Sequence, residues 1–250
     1  MVEQIILNKV SKSYTTNQGH EKKLHVLNNL SLKINKGEFV SILGPNGCGK
    51  STLLRIIAGL EDKDFGEVKV FGNNPKEKKV GYLPQGSNTL LPWLNAKQNI
   101  EFAISSIGNT NEGVALSKLA DFWISDYASY YPYQLSGGLK QMVGLVRASA
   151  VSDVLMFDEP LTGLDQSNSK MVENAFFKLK DGNNTAIIVS HDIDTAILFS
   201  DKIVVLSEKP SGIVAVIPVG LGQKRKSEMR YSEEFLLLRK EVYDILTHGK

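Results

Sequence analysis

Residues 44–52 read GPNGCGKST, directly after the apolar run EFVSILG and directly before STLLRIIAGL, whose apolar residues recur at helical spacing. A buried strand, a glycine-rich loop and a helix start in that order constrain the chain strongly, because the order is the one that makes G-x-x-x-x-G-K-S a phosphate cradle rather than an ordinary turn. Gly44, Asn46, Gly47 and Gly49 belong to a loop whose backbone N–H groups can close around a β-phosphate at the positive end of a helix. Lys50 reaches towards the β- and γ-phosphates, the Ser51 hydroxyl suits Mg²⁺, and Thr52 follows on the same helix.

The chain of 250 residues can bury a full core. Its 29 Lys and Arg nearly balance 27 Asp and Glu, so no overall field recruits nucleic acid, and nucleic acid is not an expected partner. One cysteine, Cys48, excludes a disulfide framework and a cysteine-rich metal site, and fits a reducing compartment. Cys48 lies beside a helix start and Lys50, which raises the idea of a redox switch; a small side chain filling a slot in the loop is the commoner explanation. The first residues, MVEQIILNKVSKSY, lack the apolar core of a secretory signal. GIVAVIPVGLG, from Gly212, falls well short of the ~20 apolar residues of a membrane-spanning helix.

QIILNKV and VLNNLSLKI alternate as antiparallel strands with one solvated face. EFVSILG, DVLMFDEP, TAIIVSHD and KIVVLSE are short apolar runs associated with helical patterns such as Asn168 to Lys180 and Ile193 to Phe199. That alternation predicts a mainly parallel sheet between helices. Between Gln85 and Gln134 the strand runs disappear, and NAKQNIEFAISSI and EGVALSKLADFWISDYASYY predict helices joined by IGNTNEG. The segment GLGQKRKSEMR reads as a solvated linker to a last helix, SEEFLLLRKEVYDIL.

VLMFDEP places two acids at a strand end. If both residues are extended, Asp158 and Glu159 point in opposite directions, so that Asp158 serves Mg²⁺ and Glu159 polarises the attacking water. LSGGLKQ opens a second helix with Ser136, Gly137 and Gly138, which offer backbone donors and a hydroxyl to an anion but no lysine.

Taken in order, residues 44–52, Gln85, LSGG, VLMFDEP, Leu164-Asp165 and His191 resemble the ATP-binding cassette (ABC) family over nearly the whole chain. The resemblance implies an α/β fold: a P-loop NTPase core with a mainly parallel sheet, an N-terminal antiparallel β subdomain and an inserted α-helical subdomain. It implies one nucleotide-binding domain over residues 1–250, with the helical subdomain at 86–150 and a C-terminal helix at 232–246. It also implies an ATPase using ATP and Mg²⁺, in which Gln85 touches metal and water, His191 contacts the γ-phosphate, Asp165 lies at a dimer interface and Tyr14 stacks on adenine. For His191 and Tyr14 a packed core ring is the rival reading, and the functional one is preferred for both. Ser136, Gly137 and Gly138 would meet the nucleotide of a second copy of the chain.

Three segments, LLPWLNAKQNIEF, the stretch from VSHD to IPV, and the tail RYSEEFLLLRKEVYDIL, look like the ATPase subunits of importers for nitrate, sulfonates, taurine or aromatic vitamin precursors. The expected partners are transmembrane permease subunits and, indirectly, an extracytoplasmic substrate-binding protein, with the ATPase at the cytoplasmic face of the membrane. Leu91, Pro92, Trp93 and Leu94 would form an exposed patch towards the permease, a core position for Trp93 being the alternative. A soluble iron–sulfur-assembly ATPase and a P-loop small-molecule kinase are the rival readings.

Overall fold

The computed structural model describes residues 3–17, 21–86, 89–108, 111, 113–222 and 224–248. They fall into two compact units, residues 1–78 with 185–250, and residues 79–184.

In the first unit, strand β1 (Glu3–Asn17) pairs antiparallel with β2 (Glu21–Asn35) and with β4 (Phe65–Val70). The registers Ile5↔Ile34, Leu7↔Leu32, Ile5↔Val70 and Leu7↔Val68 bring buried side chains of three strands onto one face. Period-two alternation requires this once one face is dry. Both predicted strands are therefore present, and both run longer than the alternating stretches that revealed them.

Strand β3 (Phe39–Leu43) is buried throughout and lies between two parallel partners, β7 (Thr185–Val189) and β8 (Lys202–Leu206). A strand enclosed on both edges and both faces reads as a continuous apolar run, as EFVSILG does. Its one polar side chain, Ser41, is satisfied by Ser200, with the hydroxyl oxygens 2.5 Å apart. Strand β9 (Ile213–Pro218) pairs antiparallel with β8. Helices α1 (Lys50–Ile57), α6 (Ile193–Phe199) and α7 (Glu233–His248) complete the unit.

In the second unit, β5 (Gly81–Leu83) and β6 (Val154–Asp158) pair in parallel. Four helices accompany them: α2 (Ala96–Ser105), α3 (Val114–Asp121), α4 (Gly137–Ser149) and α5 (Gln166–Asp181). Helix α2 starts at a reciprocal capping box, Asn95 Oδ1 accepting from Gln98 N at 2.8 Å and Gln98 Oε1 from Asn95 N at 3.0 Å. Pairing in both units makes the fold α/β with mainly parallel strands, an antiparallel β subdomain and helices.

Two expectations change. The helical reading of EGVALSKLADFWISDYASYY holds only to Asp121. Trp123 then takes a left-handed backbone, φ 59°, and the rest continues as turns and short 3₁₀ segments. Apolar spacing cannot report such a reversal, because Phe122 and Ile124 remain buried beyond it. Residues 109, 110 and 112 of the preceding connector lie outside the described residues.

The segment read as a solvated linker is partly core. Gln223 lies outside the described residues, but Arg225 is buried, and its guanidinium donates to carbonyls at the end of α6 and beyond: Ile197 O at 2.8 Å, Val219 O at 3.2 Å, and Ser200 O. It thereby satisfies carbonyls at the C-terminal end of α6, which a helix leaves without intrahelical donors, together with one beyond β9. Burial pushes the guanidinium pKa down and Asp201, 3.7 Å away, opposes that shift. Replacing Arg225 with Met should cost about 3 kcal/mol, the scale of several orphaned buried acceptors, and lower the urea midpoint of unfolding.

Candidate functional site

The phosphate loop leaves β3 at Leu43 and re-enters regular structure at Lys50, the first residue of α1. Gly49 caps that helix with φ 114°. A Cβ there would sit 2.6 Å from Val26 Cγ1 and 2.8 Å from Leu27 Cδ2, so both backbone angle and packing demand glycine. Lys50 is only 7 % exposed, and its Nζ donates to Gly44 O at 2.9 Å and Pro45 O at 3.0 Å, which tethers the ammonium to the loop. Asn46 and Gly47 are exposed, and Ser51 is half-buried beside buried Thr52. Cys48 is buried, as slot-filling predicts, and its carbonyl accepts from the buried Ser211 hydroxyl.

The same unit holds Tyr14 and His191. Tyr14 is half-buried on β1, with its hydroxyl oxygen 3.3 Å from Thr52 Oγ1. His191 follows β7 and is exposed. It is held from both sides: Ser190 N donates to Ile42 O, and Asp192 caps α6 by accepting from Asp194 N and Thr195 N. A histidine flanked by a strand end and a capped helix has a fixed backbone, and an exposed residue is not packed in the core.

The second unit gathers the remaining candidates. Gln85 is exposed just beyond β5. Asp158 ends β6 and is 3 % exposed. Extended backbone through both acids, the basis on which they were given opposite directions, stops there: Glu159 has φ 52°. A non-glycine residue in the left-handed region costs of order 1 kcal/mol and persists only where its surroundings impose it. The turn, rather than strand alternation, is what separates the two carboxylates' surroundings. Thr162 Oγ1 donates to Glu159 Oε2 at 2.8 Å, a contact the sequence reading missed.

Ser136 caps α4, accepting from Leu139 N at 3.3 Å, and the turn it opens is packed against the start of α5. A Cβ on Gly138 would fall 2.2 Å from Asn168 Oδ1. Asn168 in turn donates to Asp165 twice, from its N at 2.9 Å and its Nδ2 at 2.5 Å. Asp165 therefore caps α5 while Asn168 links it to the Ser-Gly-Gly turn. Asn168 was not singled out from sequence; its place three residues after a helix-capping acid was the available signal.

Asp158 and Ser51 offer oxygen donors only, as a hard divalent cation requires. Among the described residues no group of three or more His, Cys, Asp or Glu is arranged to hold a metal. Oxygen donors of this type suit Mg²⁺, which keeps waters and substrate phosphates among its ligands instead of a full protein cage. Ser51 in the first unit and Gln85 and Asp158 in the second each carry an oxygen donor of that kind.

A family model described as ABC transporter matches residues 27–162, more than half of the chain. The chain belongs to the ABC transporter family. This ABC protein is 33 % identical over 249 residues to the aliphatic sulfonates import ATP-binding protein SsuB of Bacillus thuringiensis subsp. konkukian, spanning 98 % of this chain and 96 % of that one. It is 34 % identical over 233 residues to an uncharacterised ABC transporter ATP-binding protein of Methanocaldococcus jannaschii, spanning 90 % and 85 %. Among solved structures, the dimeric post-hydrolysis state of the ATP-binding cassette MJ0796 bound to ADP and Pi superimposes with TM-score 0.75 at 29 % identity, covering 86 % of this chain and 98 % of that one. The fold is that of an ABC ATPase cassette, and the chain is an ATP-binding ABC ATPase.

Asp165 is held below the ordinary aspartate pKa, chiefly by the Asn168 N–H and then by the hydroxyl of Ser167 and the amide of Asn168. A folded-state pKa below the unfolded one gives a contribution present above the unfolded value and lost as pH falls through the folded value. Asp165→Ala should therefore melt at a lower temperature than the parent at neutral pH, and the two melting curves should converge in acid. Carboxyl NMR titration should find Asp165 below the usual range, and rising towards it in a Ser167→Ala, Asn168→Ala double variant.

Proposed function

We propose that this chain is the ATP-hydrolysing subunit of an importer for a small organic or inorganic anion or a related nutrient, with aliphatic sulfonate the best supported cargo. Two copies would bind at the cytoplasmic face of the membrane against transmembrane permease subunits, fed by an extracytoplasmic substrate-binding protein. The observation that carries the reading is the asymmetry between the two glycine-rich helix starts. One has the Ser51 hydroxyl and Lys50, whose ammonium is tethered to the loop carbonyls; the other, at Ser136 to Gly138, has backbone donors and a hydroxyl but no carboxylate for a metal, and its lysine, Lys140, follows the glycines on α4 instead of closing a loop. A helix start that attracts an anion without being able to complete its coordination suits the second wall of a site supplied by another copy.

Support for the cargo comes from the sulfonate-import relative, whose similarity spans both chains almost end to end. Support for the dimer comes from the dimeric cassette of like fold. Pro92 and Trp93 are exposed, with 68 % of Trp93 accessible, and Leu91 and Leu94 are half-buried beside them. An exposed tryptophan next to apolar neighbours is the anchor type that protein partners use. No helix among the described residues is long and apolar enough to cross a membrane, so the membrane path belongs to partner subunits in this reading.

In the proposed reaction, Lys50 neutralises charge on the β- and γ-phosphates while the loop N–H groups hold the β-phosphate. Mg²⁺, when bound, would supply neutralisation of phosphate charge, with Ser51, Asp158 and Gln85 as the residues proposed to hold it. Glu159 orients a water in line with the γ-phosphorus, and the exposed ring of His191 and the partner copy's Ser-Gly-Gly turn stabilise the equatorial oxygens. Loss of the γ-phosphate removes the ligand shared by the two copies, so they separate, and the opening and closing drives the permease.

Glu159→Gln keeps the side-chain shape and removes the anionic acceptor. It should lower ATP turnover about a hundredfold or more, retain ATP binding, and shift the chain towards a dimer in size-exclusion chromatography with ATP. Undiminished phosphate release by that variant would remove Glu159 from the role.

A further inference from the structure

Helix α1 carries the phosphate loop at its start and something else at its end. It closes in a Schellman-type turn, Leu60 N donating to Arg55 O at 2.9 Å and Gly59 N to Ile56 O at 3.1 Å, with Gly59 at φ 72°. The reversal turns the following residue, Glu61, back towards β1. There the Tyr14 hydroxyl donates to Glu61 Oε1 and lies 3.3 Å from Thr52 Oγ1. The carboxylate is itself fixed: Arg55 Nε donates to its other oxygen at 3.1 Å, and Lys12 Nζ lies 3.7 Å from Oε1. Only 17 % of the Glu61 side chain is accessible.

The ring is constrained as well as the hydroxyl. Lys12 Nζ stands over one face, 5.2 Å from the centroid, and is anchored there by the Asp62 carbonyl at 2.6 Å. A flat ligand can therefore stack only on the opposite face. Tyr14 is thus tied at its tip to a residue at the end of α1 and to Thr52 near its beginning, and is covered on one side by a cation belonging to its own strand.

We infer that Glu61 is a positioning residue for nucleotide binding: through the Tyr14 hydroxyl it fixes the aromatic platform for the base in register with the phosphate loop on the same helix. The inference rests on the reading of Tyr14 as the adenine-stacking residue. Its physical content is preorganisation, since a ring locked before the base arrives loses no further freedom on binding. An aromatic ring free to rotate on β1 would give the same contacts at a higher entropic cost. Arg55 and Lys12 act one step further back, by holding the carboxylate.

The test compares binding of ATP and of inorganic tripolyphosphate, which has the phosphates and no base, to the full chain by titration calorimetry. Glu61→Ala should weaken ATP binding about tenfold, the scale of one charge-assisted hydrogen bond. It should leave tripolyphosphate binding unchanged and raise KM for ATP with kcat retained. Tyr14→Phe, which loses the hydroxyl and keeps the ring, should show the same loss, and the double variant should be no worse than either single one. Glu61→Gln, whose amide oxygen still accepts from the phenol, should bind ATP within about threefold of the parent. Glu61→Ala or Tyr14→Phe binding ATP like the parent overturns the inference, and so does a parallel loss of ATP and tripolyphosphate, which marks a damaged phosphate loop. If Glu61→Ala does not fold, Tyr14→Phe and Glu61→Gln carry the test. Tyr14→Ala separates the underlying reading: if it too leaves ATP affinity unchanged, the adenine-stacking role of Tyr14 is what fails.

Discussion

The Lys50 ammonium bound to the carbonyls of Gly44 and Pro45 is the interaction around which the nucleotide-binding unit is organised. With Lys50 only 7 % exposed, its ammonium is tolerable only when hydrogen-bonded, and the loop's own backbone supplies those bonds. For the carbonyls to converge on one nitrogen, the loop must curl tightly between β3 and α1, which is why glycines recur along it. For the curl to keep its place, β3 must be rigid, and its enclosure between β7 and β8 makes it so. Outer layers follow from that: Val26 and Leu27 of β2 close over Gly49, and Ser211 holds the Cys48 carbonyl.

Much of this was legible in the amino-acid sequence because the constraints are local. A continuous apolar strand, a glycine loop with Lys50 and Ser51, and an apolar helix occupy 19 consecutive positions, residues 39–57, so that no long-range information was needed. Helix α6 and strand β7 were equally readable, since their boundaries carry Asp192 as cap and five apolar or β-branched residues in a row. The order of the short motifs along the chain, more than any one of them, pointed to the family.

What escaped depended on residues far apart or on single backbone angles. Arg225 sits in a basic stretch that resembles solvated chain, and only the packing of α6 reveals that its donors are spoken for. The end of α3 turns on one dihedral at Trp123, invisible to any periodicity. Glu159 is the instructive case: the geometry assigned to its carboxylate assumed a strand that had already ended. Asn168 went unnoticed because asparagine near a helix start is ordinary, and its contact with the Ser-Gly-Gly turn spans about thirty residues of sequence.

Cys48 has a practical bearing outside catalysis. It is the chain's single thiol, and its side chain is shut behind the loop, with Sγ 3.1 Å from where a Cβ on Gly44 would lie. Bulky maleimides and spin labels have no approach to a sulfur so enclosed. A cysteine placed at a chosen exposed position would consequently be labelled alone in the otherwise native polypeptide, and fluorescence or electron-paramagnetic distance measurements could follow subunit movement without first mutating the phosphate loop.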